Sequence, residues 1–150
     1  MNTINRLLTP RADLALFILR IWIGIVGVFH GSQKLFSAFD GPGIQGFQGY
    51  LTTLKVPFPV ISAYAASLTE LAGGLLIAFG LFTRPAAALL AFTMAVAALT
   101  AHAGKFDAQK GGGEYPLTIG ILAAAIFIAG PGALSIRRLF HAPALKLQAA

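Results

Sequence analysis

Residues 14–36 read LALFILRIWIGIVGVFHGSQKLF, and the ionisable side chains in this stretch are Arg20, His30 and Lys34. An apolar run of about 18 residues or more is long enough to cross the hydrocarbon core of a bilayer as an α-helix. One face of this helix carries small residues between two cations: Arg20, Gly24, Gly27, Gly31 and Lys34. Small residues mark the face on which a second helix packs. The stretch therefore predicts a membrane-spanning helix whose charges face protein rather than lipid.

Three more apolar stretches follow, at residues 59–81, 86–103 and 116–129. The chain is 57% hydrophobic and 11% charged, with a mean hydropathy of +0.78, whereas soluble domains carry about 25% charged residues. Four spans leave little of the 150 residues for anything else. We therefore predict an all-α fold, an integral membrane four-helix bundle with short loops. It forms a single domain over residues 1–150 and contacts the lipid bilayer.

The other three spans also carry residues aligned at helical spacing. They are Ala63, Ala66, Glu70, Gly73 and Gly74 in the second span, Ala88, Ala91, Ala95, Ala98 and His102 in the third, and Glu114, Thr118, Ile121 and Ala125 at the fourth. An unpaired charge at the bilayer centre costs about 2.5–3.5 kcal/mol on insertion scales. We therefore expect Arg20 and Glu70 to face the bundle interior and to interact, directly or through water.

The basic residues of the loops and termini predict the orientation. One side of the predicted membrane holds Arg6, Arg11, Arg84, Arg137, Arg138 and Lys146, and the other holds Lys55, Lys105 and Lys110. Because an excess of Lys and Arg marks the cytoplasmic side, both termini are predicted to be cytoplasmic. The net charge of +6 includes no basic run interleaved with aromatic residues, so no nucleic-acid partner is expected.

The first apolar stretch is longer than the apolar region of a secretory signal and contains three ionisable residues. We therefore interpret it as a retained span. The chain has no cysteine, which excludes disulfides and thiolate metal sites within it. If the protein carries out redox chemistry, the electrons must travel on a bound cofactor or a partner.

Residues 37–57 form the longest linker. Ile44, Phe47, Leu51 and Leu54 recur there at helical spacing among polar residues. This pattern predicts a short helix that lies in the outer membrane interface. The linker is also long enough to cover a site at that end of the bundle.

Polar residues gather at the outer ends of the predicted spans. With a rise of about 1.5 Å per residue, His30 and Lys34 lie within about 10 Å of the end of the first span. The third span ends at His102 on the same side, and the fourth begins there. We place a small-ligand site in this cluster. The proton-handling catalytic candidates are Glu70, His102 and Glu114, and the ligand-binding candidates are Arg20, His30, Lys34 and Tyr115.

Each of these groups also has an interpretation without function. Arg20 and Glu70 could join two helices without doing chemistry, because buried ion pairs can fix which helices meet. The histidines could lie near lipid headgroups, and Lys34 could extend to the interface. Two histidines and a glutamate could also bind a metal, but they come from different spans, and we predict no metal site. Gly111–Gly113 lacks the Lys and Ser/Thr of a phosphate-binding loop.

The order and spacing of several short motifs resemble the DoxX family of bacterial four-helix inner-membrane proteins. The resemblance covers about Arg20 to Arg138 and depends on the glycine ladder that leads to HGSQK at residues 30–34. It also depends on ELAGG at 70–74, GLFTR at 80–84, GGEYPL at 112–117 and GPGALS at 130–135. The resemblance implies a redox-associated subunit of the bacterial inner membrane, in a family linked to quinone-dependent oxidation and to membrane oxidoreductase complexes.

Two classes of function fit these residues. The first is a quinone-linked oxidoreductase subunit that works with an oxidoreductase partner subunit. A quinone requires an apolar slot reached from lipid and donors that stabilise its carbonyl oxygens. The second class is a non-catalytic membrane scaffold, or a module that binds or transports a small solute. Either class is compatible with a homo-oligomer.

The predicted orientation can be tested with cysteines introduced singly at Ala149 and Gln109, since the chain has none of its own. We expect an impermeant thiol reagent, added from the periplasmic side, to label the cysteine at 109 and not that at 149. Labelling of both positions from that side would contradict the predicted topology.

Overall fold

The computed structural model of the chain describes residues 3–140, with side chains from residue 11 to residue 138. Lys146 and Ala149 lie outside the described residues, as does the side chain of Arg6. The helices are α1 (Thr3–Phe36), α2 (Gly43–Thr53), α3 (Pro59–Phe79), α4 (Thr83–Thr100), α5 (Glu114–Ala129) and α6 (Ile136–Phe140). Single 3₁₀ turns at Ala38–Asp40 and Ala108–Lys110 lie in the two loops next to the predicted site. The all-α prediction is confirmed.

Among the described residues, three helical segments are long and apolar enough to cross a membrane: Arg11–Phe36, Pro59–Phe79 and Thr83–Thr100. The fourth predicted span corresponds to α5, which has 16 residues. At 1.5 Å per residue it is about 24 Å long, shorter than a hydrocarbon core of about 30 Å. Helix α5 packs against α4 and completes a bundle with α1 and α3.

The outside of the bundle is apolar. Ile18, Trp22, Leu99 and Ile128 are all more than half exposed, which in a soluble protein would leave a large apolar surface in water. Fewer apolar residues are fully buried in the interior than are exposed on the outside, and they include Ile23, Ile77, Leu90 and Ile126. This arrangement is that of a multi-pass membrane protein, whose outer side chains contact lipid.

Helices α1 and α3 pack most closely, through the predicted glycine face. A Cβ atom added to Gly27 would lie 2.6 Å from the carbonyl oxygen of Glu70 and 3.2 Å from Cα of Gly74. Towards the other end of the contact, a Cβ at Gly24 would lie 2.6 Å from Cβ of Ala78. The two backbones therefore meet without side chains between them, and this contact fixes the antiparallel register of the helices.

The aligned residues in the first two spans face the interior as expected, whereas those in the third span do so only in part and those in the fourth do not. On α4, Ala88 and Ala95 are exposed, and on α5, Thr118, Ile121 and Ala125 are exposed. On α4, Ala98 of the predicted stripe is buried together with Ala86, Ala87 and Leu90. The buried face of α5 carries Pro116, Ile119, Ala123 and Ile126. Both helices are apolar on every side, and lipid accepts Ala or Ile as readily as the interior does. Their composition therefore does not define an inner face.

The end of the bundle that contains Arg20, which we call the arginine end, is closed by that side chain. Arg20 is fully buried. Its Nη1 donates to the carbonyls of Ile77 at 3.4 Å and Ala78 at 3.5 Å, and its Nη2 donates to that of Leu134. Because the last carbonyls of a helix carry partial negative charge, the cation stabilises the end of α3. At Gly80, which ends α3 with a φ of +71°, any side chain would collide with Arg20.

The predicted helix in the first loop is present as α2. Its apolar face contains Leu51, which is buried, and Ile44, Phe47 and Leu54, which are partly buried. The helix lies against α1 and α3. Residues 37–57 therefore cover one side of the opposite end, which we call the histidine end because it contains His30 and His102.

The glycine contact predicts the effect of a single methyl group. In an ordinary helix position, Gly→Ala is favourable by about 0.5–1 kcal/mol. At Gly27, we expect the collision with α3 to reverse the sign and destabilise the fold by about 1–3 kcal/mol. Thermal unfolding in mild detergent would measure this. Gly49→Ala on α2 is the matched control, because nothing lies within 4 Å of its added Cβ. Equal stability of the two variants would contradict the close packing.

Candidate functional site

The buried carboxylate of Glu70 is paired with Lys34. Nζ of Lys34 lies 2.5 Å from both Oε1 and Oε2 of Glu70, and the side chains are 23% and 3% exposed, respectively. The predicted interaction of Glu70 with Arg20 is wrong. Arg20 contacts carbonyls seven and eight residues further along α3, about 10–12 Å away along the helix axis.

The direction of side chains on antiparallel helices explains the correction. Each Cα–Cβ bond is tilted towards the N-terminus of its own helix. Lys34, near the end of α1, therefore leans back towards the middle of the bundle. Glu70, on antiparallel α3, leans towards the histidine end and so towards Lys34. Arg20 leans towards the arginine end, away from Glu70.

Two cavities adjoin this ion pair. The first, which we call the lipid-side cavity, has a volume of about 380 Å³ and lies between α2, α3 and α4. The second, the bundle cavity, has a volume of about 300 Å³ and lies between α1, α4 and α5, with Glu70 of α3 on one wall. Lys34, Glu70, Ala97 and His102 line both. The ion pair and His102 are therefore accessible from either cavity.

Helix α2 supplies part of the wall of the lipid-side cavity. The ring of Phe47 lies 5.2 Å from Nζ of Lys34, within the range of a cation–π contact. Leu51 and Val56 line the same cavity. The first loop thus covers the lysine, which is held inside instead of extending to the interface.

His30 belongs to a short hydrogen-bonded chain on the wall of the bundle cavity. Its Nδ1 lies 3.1 Å from Oε1 of Gln33, and its Nε2 lies 3.2 Å from the hydroxyl of Tyr115. The amide nitrogen of Gln33 donates to the carbonyl of Phe39 at 3.4 Å. This chain connects α1 to the start of α5 and to the loop before α2.

His102 is held by the loop that joins α4 to α5. Its Nδ1 lies 2.9 Å from the carbonyl oxygen of Gly111, so this nitrogen must be the donor. The loop is closed by backbone bonds, among them Gly112 to Asp107 and Gly113 to Lys105. The glycine-rich turn therefore folds back over the end of α4 and orients the imidazole.

The structure brings five of the seven predicted site residues together around the bundle cavity: His30, Lys34, Glu70, His102 and Tyr115. Glu114 is exposed, and its Oε2 accepts a hydrogen bond from the backbone nitrogen of Ala108 at 3.1 Å. It therefore braces the loop that holds His102. Arg20 lies at the arginine end with its guanidinium on backbone carbonyls.

Sequence reasoning missed two groups that shape the site. Gln33 was detectable, because it lies three residues after His30 on the same helical face. The carbonyl of Gly111 was not, because its role depends on the folded loop. Across the described residues 3–140, no three His, Asp or Glu side chains lie together in a way that could hold a metal ion.

The fold and the site define a class of protein: a multi-pass membrane bundle of helices whose buried polar groups meet beside two cavities at one end. The chain belongs to the DoxX family, whose profile matches residues 15–103. That region contains Arg20, His30, Lys34, Glu70 and His102 and ends before Glu114.

Two curated proteins are similar in sequence to this chain. It is 32% identical over 113 residues to "Inner membrane protein YphA" of Escherichia coli (strain K12), a match that covers 69% of this chain and 81% of that protein. It is also 32% identical over 89 residues to "Putative oxidoreductase CatD" of Bacillus subtilis (strain 168), a match that covers 59% of this chain and 60% of that protein. No solved structure matches the chain.

The observed pairing predicts a specific pattern of coupled stabilities. Lys34→Met and Glu70→Gln should each destabilise the protein by about 3 kcal/mol, because each leaves one buried polar partner uncompensated. The double variant should lose about 1–3 kcal/mol less than the sum of the two. Unfolding in mixed micelles would measure the free energies. The matched control combines Arg20→Met with Glu70→Gln, for which the losses should be additive. If the losses of unfolding free energy were coupled for Arg20 and Glu70 but additive for Lys34 and Glu70, the assignment of Lys34 as the partner of Glu70 would be wrong.

Proposed function

We propose that this protein is an inner-membrane subunit of a quinone-linked oxidoreductase system and that a quinone binds in the lipid-side cavity. The observation that carries the proposal is the composition of that cavity. Its walls are mostly apolar, and Lys34, Glu70 and His102 also line it. A quinone has the same division, with an apolar body and two carbonyl oxygens.

The size and position of the cavity support this ligand. Its volume of about 380 Å³ is within the usual range of small-molecule sites, about 300–1,000 Å³. Leu89 and Phe92 line it and are 57% and 68% exposed on the lipid side of α4. A lipid-soluble molecule could therefore enter between α3 and α4 without leaving the bilayer.

The ion pair and His102 offer the groups that such a ring requires. A bound quinone would itself be the carrier of two electrons and two protons. Lys34 has three N–H donors and uses two on Glu70, so one remains for a carbonyl oxygen. His102 and Glu70 can accept and release protons. The chain contains no cysteine, so no dithiol within it can supply electrons. We assign the electron source to a partner subunit or to a bound redox cofactor.

The relatives support the two coarser parts of the proposal. The name of the Escherichia coli protein places that protein in the inner membrane, and the name of the Bacillus subtilis protein is "Putative oxidoreductase CatD". We carry both properties over to this chain as part of the proposal, together with the cytoplasmic termini that the basic residues predict.

The proposal predicts that filling the lipid-side cavity prevents quinone binding. Ala66 lines this cavity on α3. We expect Ala66→Phe to weaken the binding of decylubiquinone to the detergent-purified protein at least about tenfold, because the larger side chain occupies the space of the ring. Titration calorimetry would measure the dissociation constant, and mass spectrometry would identify quinones that co-purify with the wild type.

Ala72→Phe is the matched control, since Ala72 is on the same helix but exposed and outside both cavities. It should bind the quinone as the wild type does. If the wild type shows no saturable binding, or if Ala66→Phe binds as tightly as the control, the quinone proposal is wrong. A membrane scaffold or a small-solute module would then be the better interpretation.

A further inference from the structure

The hydrogen bonds around the site determine which ring nitrogens carry a proton. A backbone carbonyl can only accept, so the bond of 2.9 Å to Gly111 requires a proton on Nδ1 of His102. In the neutral imidazole, Nε2 is then unprotonated and can only accept. Since Nδ1 is occupied by the loop, Nε2 is the ring nitrogen left for a molecule in either cavity.

The same reasoning determines the protons on the other side of the bundle cavity. The amide of Gln33 is oriented by its donation to Phe39, so its Oε1 accepts from Nδ1 of His30. Nε2 of His30 therefore accepts the proton of the Tyr115 hydroxyl. The hydroxyl proton of Tyr115 is thus donated to His30. The hydroxyl oxygen can still accept a hydrogen bond through a lone pair.

Among the groups beside the ion pair that can act only as donor or only as acceptor, acceptors predominate. Beside the ion pair in the lipid-side cavity, the groups that can only accept are Nε2 of His102 and the remaining lone pairs of the Glu70 carboxylate. Tyr115 lines the bundle cavity and not this one. The group that can only donate is the third N–H of Lys34, whereas the hydroxyls of Tyr50, Thr69 and Thr93 on the cavity walls can donate or accept. A ligand with two hydroxyl groups can satisfy these acceptors, whereas a ligand with two carbonyl groups would place lone pairs against them.

We infer that the site binds the reduced, hydroxyl-bearing quinol more tightly than the quinone, with the quinol O–H donating to Nε2 of His102. The inference rests on the proposed function and adds the redox form that the site selects. A buried acceptor left without a donor is costly, and we expect a preference of about tenfold or more. For a two-electron couple, tenfold raises the midpoint potential of the bound quinone by about 30 mV. A bound quinone would then be easier to reduce than a free one.

The test compares the dissociation constants of decylubiquinol and decylubiquinone for the purified full-length protein at neutral pH under anaerobic conditions. We expect the wild type to bind the quinol about tenfold more tightly. In His102→Gln the preference should fall below about threefold, because an amide can rotate to offer either a donor or an acceptor. His102→Phe, which keeps a ring but has no acceptor, should lose the preference as well. Lys105→Gln, exposed on the same loop, should keep it.

The outcomes separate this inference from the proposed function. Equal affinities, or tighter binding of the quinone by the wild type, would overturn the inference and leave the quinone site in place. A preference that persists in both His102 variants would overturn the role of His102. If the wild type binds neither form, the proposed function itself fails. Because the wild-type ratio alone decides the main point, the test does not depend on the folding of any variant.

Discussion

The close contact of α1 with α3 is the constraint on which the rest of the structure depends. Gly27 and Gly74 let the two backbones touch, and in a membrane such contacts replace the hydrophobic force that drives packing in water. The contact fixes the register of the helices to within one turn. That register, together with the tilt of side chains towards each N-terminus, places Lys34 against Glu70 and leaves Arg20 to the carbonyls at the end of α3.

Arg20 and Lys34, the two cations on the inner face of α1, are accommodated by different physical means. Arg20 is stabilised by the partial negative charge at a helix C-terminus and needs no carboxylate. Lys34 is neutralised by a carboxylate that is itself buried. A buried ion pair is seldom more stabilising than apolar side chains of the same volume. The Lys34–Glu70 pair lies on the walls of both cavities, which is the placement that the proposed binding role requires.

Polarity at helical spacing decided how well each helix could be predicted. The inner faces of α1 and α3 were predictable because charges and glycines stand out among Leu and Ile. The face of α2 was predictable because polar residues separate its apolar ones. On α5 the aligned residues pointed to the wrong face, and on α4 only part of the stripe faces inward, since Ala88 and Ile121 are as acceptable to lipid as to a protein interior. The cluster of His30, Lys34, His102 and Tyr115 at one end followed from the order of the spans and from their lengths.

The sequence by itself therefore determined the class of fold, the approximate spans, the α1 and α3 faces and the end of the bundle at which polar groups gather. All of these depend on composition and on the helical period, which are properties of one chain segment at a time. Only the tertiary structure decided the partner of Glu70, the bracing role of Glu114, the tautomer of His102 and the division of the site into two cavities. These depend on the axial register of two helices and on the path of a loop, and both are set by contacts between residues far apart in the sequence.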